Sequence, residues 1–543
     1  MKGERKRLTK EVELIRKLKD NLFINKGIIK VIRREYKGDI EKTRDHKDIR
    51  KLFDMMGKGE YTLDDQTWDD LDMDKVYDKL DRSYSSLGEA TLYSMLRNPL
   101  MDEKELKSRD KLIEAFKDNE AIREALQYIF FNLNRDRRNA FLNMIESDLT
   151  INRFKYYLYT FLGKILPVII ILLAIFIDKK LMAGLVAVSM LNMFINNNER
   201  NTIKSYGIFY LRSIIKAAKN ISGIKNKDII DYTNKIAYIL NNIKELDRGT
   251  RLIGFANMWG GLFESLSVIF LIEESAYYAI SSVLKGKKQY LMELYCTMGE
   301  LEALISISGY QFNLKYQCVK PRFVQETALN IDEGVHPLID DAVPNSININ
   351  GKGIVLTGTN MSGKSTFLRM LGVNMLLAQT FYFALAKGYE ACFFNIVTSI
   401  SPNDDLVKGK SYYMAEAESI LRIIKALEKK APVFCPIDEI FRGTNPIERI
   451  SLSAEILIYL SQGRTISIVA THDRELADIL KDIYEFYYFS EIVDSSKGLS
   501  FDYKLKKGVS QTRNAIKLLQ HMNYPKAIID RSYKRAEKID GFI

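Results

Sequence analysis

Gly358-Thr359-Asn360-Met361-Ser362-Gly363-Lys364-Ser365 follows the apolar run Ile354 to Thr357 and precedes a helical pattern that begins near Thr366. A glycine-framed loop between a strand and a helix is the arrangement that curls backbone amides around a phosphate. The glycines permit the curl, and the helix N-terminus adds a dipole that favours negative charge. Lys364 is then positioned for the β and γ oxygens of a triphosphate, and the Ser365 hydroxyl for magnesium. Residues Gly358 to Thr366 are therefore the expected nucleotide-binding set, with ATP and Mg2+ as the expected ligands.

Downstream, Val433-Phe-Cys-Pro-Ile437 reads as a strand that ends in Asp438-Glu439. In open α/β sheets, ligands bind at the carboxyl ends of the strands, so this run delivers two acids to such a rim. Asp438 is expected to hold the metal with Ser365. Glu439 is expected to position or deprotonate the attacking water, because phosphoryl transfer depends mainly on positioning and charge stabilisation. Pro436 removes a ladder donor, which points to a bulge or an edge. A further apolar strand ends in Ala470-Thr471-His472, so His472 reaches the same rim as a γ-phosphate sensor or a partner of the attacking water.

Outward from these motifs, short β-rich runs alternate with helical ones after about Pro321, the texture of an α/β domain with a parallel-rich sheet. Candidate strands are Ile354 to Thr357, Phe394 to Ile400, Val433 to Ile437 and Ile466 to Ala470, with the alternating run Leu499 to Leu505 closing one edge. Upstream the patterns are helical: Ile122, Leu126, Ile129 and Leu133 lie on one helix face, and so do Ile229, Ile236, Leu240 and Ile243. The domain reading is a charged helical segment over 1–69, a helical domain over 70–320, the α/β domain over 321–490 and a closing strand and helical segment over 491–543.

Between Tyr156 and Ile195 the chain forms two apolar arms around Asp178-Lys179-Lys180. Back to Tyr156, the first arm is long enough to cross about 30 Å of hydrocarbon, and the second is short. Lys164 and the aromatic cluster Tyr156, Tyr157 and Tyr159 suit an interface. A membrane-embedded hairpin and a buried or partner-binding helical pair are both open. The stretch Leu252 to Leu284 carries Glu264, Glu273 and Glu274, which are costly in lipid, so it is expected in a core.

The formal charge of +11 favours an anionic partner, either nucleic acid or an acidic membrane face. Its modest clusters are Lys2, Arg5, Lys6, Arg7 and Lys10, and Lys504, Lys506 and Lys507, and an ordinary solvated surface accounts for them equally well. Cys296, Cys318, Cys392 and Cys435 show no metal-ligand spacing, which fits a reducing compartment, and the charged N-terminus is unlike a signal peptide.

With the motifs set in order, the chain resembles the MutS family of mismatch-recognition ATPases, a branch of the ABC ATPase class. The resemblance rests on Gly358 to Thr366, Asn374-Met-Leu-Leu-Ala-Gln379, Asp404 to Glu416, Asp438-Glu-Ile-Phe-Arg-Gly-Thr444 and Ala470-Thr-His472. His336-Pro337 and Pro344-Asn345 resemble the entry into that family's ATPase domain, and Lys504 to Ser510 with Tyr524-Pro525 resemble its dimerisation segment. Leu80 to Gly88, Leu96 to Pro99 and Asp102 resemble the start of its helical lever.

The resemblance implies an ABC-type P-loop ATPase domain preceded by an all-α lever and core domain. It also implies a homodimer in which Ser411 reaches the partner's γ-phosphate, DNA as a partner, no small-molecule substrate other than ATP, and a cytoplasmic ATPase. The departures are specific. No Phe-x-Glu mismatch-reading motif stands near the N-terminus, and the 70 or so residues before the lever-like segment are too few for the usual recognition and connector domains. The apolar hairpin stands where DNA-clamping members carry their lever tips. Ala342 replaces an aromatic that stacks on adenine, and Asn445-Pro446 replaces small hydroxyl residues. Two readings follow: an ATPase that moves its lever to clamp DNA, or a membrane-anchored, ATP-driven scaffold acting on protein or lipid without DNA. A transporter subunit is disfavoured, because two apolar arms cannot line a path.

Overall fold

The computed structural model of the protein describes residues 25–38, 42–147, 152–205, 207–247, 268–359, 362–401, 412–441, 444–494, 498–509 and 524–539, with a few residues between 516 and 522. The chain groups into two compact units. One comprises Met1–Lys58, Leu80–Ser94 and Lys111–Asn313, and the other Gly59–Lys79, Met95–Asp110 and Leu314–Ile543. The second unit therefore includes two short segments from early in the chain, which reading in linear blocks does not contain.

In the first unit the described elements are helices, including the 41-residue helix Ile272–Phe312, about 60 Å long at 1.5 Å per residue. Helix Glu120–Leu133 buries Ile122, Leu126, Ile129 and Leu133, the expected face. In helix Ile230–Asn242 the buried stripe runs through Ile229, Ile236, Ile239 and Ile243, so Ile239 takes the place expected of half-buried Leu240. Steps of three and four residues join 236 to 243 through either position, so spacing admits both, and the packing buries Ile239 more fully than Leu240.

The expected apolar hairpin is present. Its first arm runs through helix Arg153–Thr160, a π-turn at Phe161–Ile165 and helix Leu166–Phe176; its second arm is Ala183–Ser205. Asp178 caps the turn between them by accepting the Lys180 N–H. Arg153–Phe176 is the one helix, among the described residues, long and apolar enough to cross a membrane, with mean hydropathy 2.4 over its most apolar 18 residues. Tyr159 is buried and donates to Glu199. Of the stretch expected in a core, residues 252–267 lie outside the described residues, and Glu274 is buried.

The second unit holds two sheets. Strands Arg322–Phe323 (β1), Ala328–Gly334 (β2), Asn345–Asn350 (β3) and Gly388–Ala391 (β5) form one in the order β1-β5-β2-β3. Strands Gly353–Thr357 (β4), Asn395–Ile396 (β6), Val433–Asp438 (β7), Thr465–Ala470 (β8), Tyr484–Asp494 (β9) and Gly498–Lys507 (β10) form the other in the order β10-β9-β4-β8-β7-β6. Pairing in the larger sheet is parallel except between β9 and β10. Strands β4 and β7 are buried along their whole length, as strands covered on both faces must be, which is why they read as unbroken apolar runs.

The strand expected over Phe394 to Ile400 shrinks to Asn395–Ile396 plus an isolated bridge at Ser399. Pro436 accounts for the difference without the expected bulge. Its carbonyl accepts the Ser399 N–H at 3.0 Å, so its missing donor faces the same neighbour, and regular β6 pairing stops two residues earlier. The motif residues Asn374 and Gln379 are staples. Asn374 donates to Val335 O and accepts from Leu385 N, while the Gln379 amide bonds both the N–H and the C=O of Phe394.

Candidate functional site

Strands β4, β8 and β7 are adjacent and parallel, so their carboxyl ends share one rim. From β4 the chain enters the glycine loop, where Gly358 has φ +141° and Gly363 φ +107°. A Cβ on Gly358 would approach the Phe489 carbonyl oxygen to 2.9 Å, so a side chain at that position is opposed by both backbone conformation and space. Helix Lys364–Phe381 begins directly after the loop. The Lys364 ammonium donates to the carbonyls of Gly358 at 2.8 Å and Thr359 at 2.9 Å, folding the loop back over the helix start. The Ser362 hydroxyl is buried at the same turn with no hydrogen-bond partner among the described residues, a polar atom available to an incoming ligand. Asn360 and Met361 lie outside the described residues.

The Ser365 hydroxyl donates to the Asp438 carboxylate, joining the helix start to the end of β7. Backbone bonds hold the acids there: Asp438 N–H donates to Ser399 O and Glu439 N–H to Ala470 O, each at 2.8 Å. Glu439 has φ +61° and Phe441 φ +59°, a left-handed conformation that costs a side-chain-bearing residue energy and concentrates at functional sites. His472 Nε2 lies 3.2 Å from Glu439 Oε1. Lys364, Ser365, Asp438, Glu439 and His472 are thus gathered at one rim. Ser411, Arg442 and Gly443 lie outside the described residues, as does the run 402–410.

Lys364, Ser365, Thr366, Asp438 and Glu439 line a cavity of about 920 Å³, together with Ala342, His336 and Tyr503. That volume suits a nucleotide-sized ligand. A hydroxyl and a carboxylate bonded to each other beside it are oxygens that could hold magnesium, an ion that takes one or two protein oxygens and fills its octahedron with phosphate oxygens and water. Burial and the nearby Arg369 guanidinium push the His336 pKa down to about 4, so its ring is neutral at physiological pH.

Tyr503 is the residue that motif reading missed. It sits on β10 with φ +52°, at a register shift between Phe501 and Leu505. Asn345 fixes this bend, donating to Tyr503 O at 2.9 Å and accepting from Leu505 N at 2.8 Å. The bulge breaks the alternation that would assign Tyr503 to a face, and with it the signal.

A MutS domain V family model matches residues 354–540. The loop, the acid pair and the histidine all lie within that match. The DNA mismatch repair protein MutS of Fusobacterium nucleatum is 27% identical over 285 residues, covering 50% of this chain and 31% of its own length. The MutS of Thermus aquaticus is 28% identical over 265 residues, covering 48% and 32%. The DNA mismatch repair protein MSH3 of Saccharomyces cerevisiae is 27% identical over 265 residues, covering 46% and 26%. Residues 354–540 thus match MutS domain V, and about half of the chain is similar to MutS-family mismatch repair proteins.

The chain spans about a third of the length of the curated relatives it matches. The domain V match begins at Ile354, inside β4, so β1, β2 and β3 of the same unit precede it. The basic cluster near its far end is partly engaged: Lys506 pairs with Asp502 at 2.6 Å, Lys507 with Glu485 at 3.3 Å, and Lys504 donates to Pro344 O. The other cluster, Lys2 to Lys10, lies outside the described residues.

Proposed function

We propose that the chain is a MutS-type ATP hydrolase that couples turnover to movement of its helical unit and acts on DNA in mismatch repair or recombination. One observation carries the reading: the Ser365 hydroxyl and Asp438 carboxylate meet where the glycine loop ends, with the Glu439 and His472 pair on the same rim. Lys364 exchanges its two loop carbonyls for the β and γ oxygens of ATP. Ser365 and Asp438 would hold magnesium, which when bound would supply charge neutralisation at the phosphates. Glu439 orients the attacking water and accepts its proton, and His472 holds Glu439 and senses the γ-phosphate. Ser411 completes the site of a second copy, so the working form is a homodimer whose ATPase domains face the cytoplasm.

The DNA assignment rests on the family, on relatives named as mismatch repair proteins and on the +11 charge. The alternative is an ATP-driven scaffold, held at a membrane by the Tyr156 to Ile195 hairpin, that acts on protein or lipid without DNA. Its specific support is the exposure of that hairpin.

The test is magnesium-dependent ATP hydrolysis by the purified chain, with Lys364→Ala losing nucleotide binding. ATP binding unchanged in that variant would sink the site assignment. Titration with duplex, mismatched and branched DNA separates the two readings. Binding with a steep salt slope supports DNA action, and no binding at low salt leaves the scaffold.

A further inference from the structure

We propose that the hairpin Arg153–Ser205 inserts into the hydrocarbon of a lipid bilayer, with its water boundary at the Lys155 and Glu199 ion pair. This stands apart from the ATP site and rests on different residues.

The first arm is exposed where a soluble helix is not. Ile175, Phe176 and Ile177 are 68%, 81% and 72% exposed, and Val168, Ile169, Ile171, Leu172 and Leu173 are exposed as well. At 100° per residue these positions reach about two thirds of the way round the helix, leaving Pro167 and Ala174 as the buried side. A protein partner or a second copy takes one stripe of a helix, as in a coiled coil. Lipid chains cover every free face, so this distribution selects a bilayer over a docked helix. The second arm agrees: Val186, Met190, Leu191, Met193 and Phe194 are exposed, while Asn192 is buried.

The polar groups fall where a bilayer requires them. At the base, Lys155 pairs with Glu199 at 2.6 Å, and Tyr159 and Tyr278 each donate to the Glu199 carboxylate at 2.8 Å. At the tip stand Asp178, Lys179 and Lys180, all exposed. The 22 residues from Tyr156 to Ile177 between these ends span about 33 Å, close to the roughly 30 Å hydrocarbon thickness. Between the ends, the Asn192 amide donates to Leu162 O at 3.2 Å and Ile269 O at 2.6 Å, so its N–H groups are met inside the protein, while its Oδ1 has no partner among the described residues. Exposed Lys164 lies two to three turns inside the base, from which its aliphatic stem extends towards the headgroups.

The experiment reconstitutes the detergent-purified full chain with neutral phosphatidylcholine vesicles, which give the basic surface no anionic lipid to bind, and floats them on a density gradient. The expected result is co-flotation that survives high salt and alkaline carbonate. Ile175→Asp combined with Phe176→Asp lowers partitioning by about a hundredfold or more, each charge being costly in hydrocarbon. Because both side chains are already exposed, the thermal unfolding midpoint in detergent stays unchanged and separates lost insertion from lost folding. Wild-type protein that stays at the bottom of the gradient, or floats only until salt strips it, overturns the proposal. So does a lipid-free assembly of copies that the double variant dissolves.

Discussion

The carboxylate of Asp70 accepts the backbone N–H of Ser401 at 2.8 Å, across 331 positions of sequence. It also accepts Ile400 N–H at 2.9 Å and the Thr398 hydroxyl at 2.7 Å, and it is 1% exposed. Ile400 and Ser401 line the cavity and open the run that leads to Ser411. Arg369, from the helix that follows the glycine loop, donates to Asp70 O at 2.7 Å and pairs with Asp72 at 3.2 Å. Asp70 thus ties the early segment Gly59–Lys79 to two walls of the site.

Replacing Asp70 by alanine strands two backbone amides and a hydroxyl in a buried place. At about 1–3 kcal/mol for each unsatisfied group, partly relieved by relaxation, the expected loss is about 3–5 kcal/mol in chemical denaturation. Asp70→Asn keeps one acceptor oxygen and recovers part of it. In that milder variant ATP turnover falls more than ATP affinity, because the altered loop leads towards Ser411. Equal losses in both would show Asp70 to be a folding residue alone.

Glu439 combines a left-handed backbone with the proposed role of a catalytic base, so its variants separate stability from turnover. Glu439→Gln keeps shape and removes basicity, and is expected to lower turnover about 10²- to 10⁴-fold with ATP binding retained. Glu439→Gly is tolerated at this φ. Glu439→Val clashes with it and is expected to be about 1–3 kcal/mol less stable than the glycine variant. Denaturation curves that coincide would show that the strain carries no energetic weight.

Much of the larger sheet was legible because its strands are fully covered. Gly353–Thr357 and Val433–Asp438 read as apolar runs whose closing polar residue marks the rim, and Thr465–Ala470, interrupted by Ser467, leads to Thr471 and His472 at the same edge. The smaller sheet was not, since β1 has only two residues and β5 four, too short for a period to register. Asp70 was invisible for another reason. A carboxylate in Thr-Trp-Asp-Asp-Leu gives no local sign of amides more than 300 residues away. Tyr503 was hidden by its bulge, and Pro436 misled because which neighbour a missing donor faces is decided by the sheet.

Tyr503 is expected to supply the aromatic surface that Ala342 does not. Base stacking on an aromatic ring contributes about 1–3 kcal/mol, so Tyr503→Ala should raise the KM for ATP about 5- to 150-fold, with kcat little changed. Tyr503→Phe keeps the ring and the affinity. Asn345→Ala should act like Tyr503→Ala, because its side chain bridges Tyr503 O and Leu505 N and so holds the ring's backbone. Stacking is tolerant of base identity, so GTP should lose affinity in parallel. An alanine variant with wild-type KM would remove Tyr503 from the binding surface.

His336 gives the second unit an acid limit. It is 4% exposed, its Nδ1 accepts the Leu338 N–H at 3.2 Å, and burial and then Arg369 lower its pKa from 6.5 to about 4. Between those values the unfolded chain binds a proton that the folded one refuses, so stability rises with pH across the window and is fully present above about 6.5. Acidifying from pH 7 to 4 should therefore cost about 3 kcal/mol from this group, at 1.36 kcal/mol per pKa unit. His336→Asn, which keeps an acceptor for Leu338 and cannot take up a proton, should flatten that part of the curve while leaving other acid-sensitive groups in place. Urea denaturation at pH 7, 6, 5 and 4 measures the difference between variant and wild type, and parallel curves over the whole range would mean that His336 titrates normally.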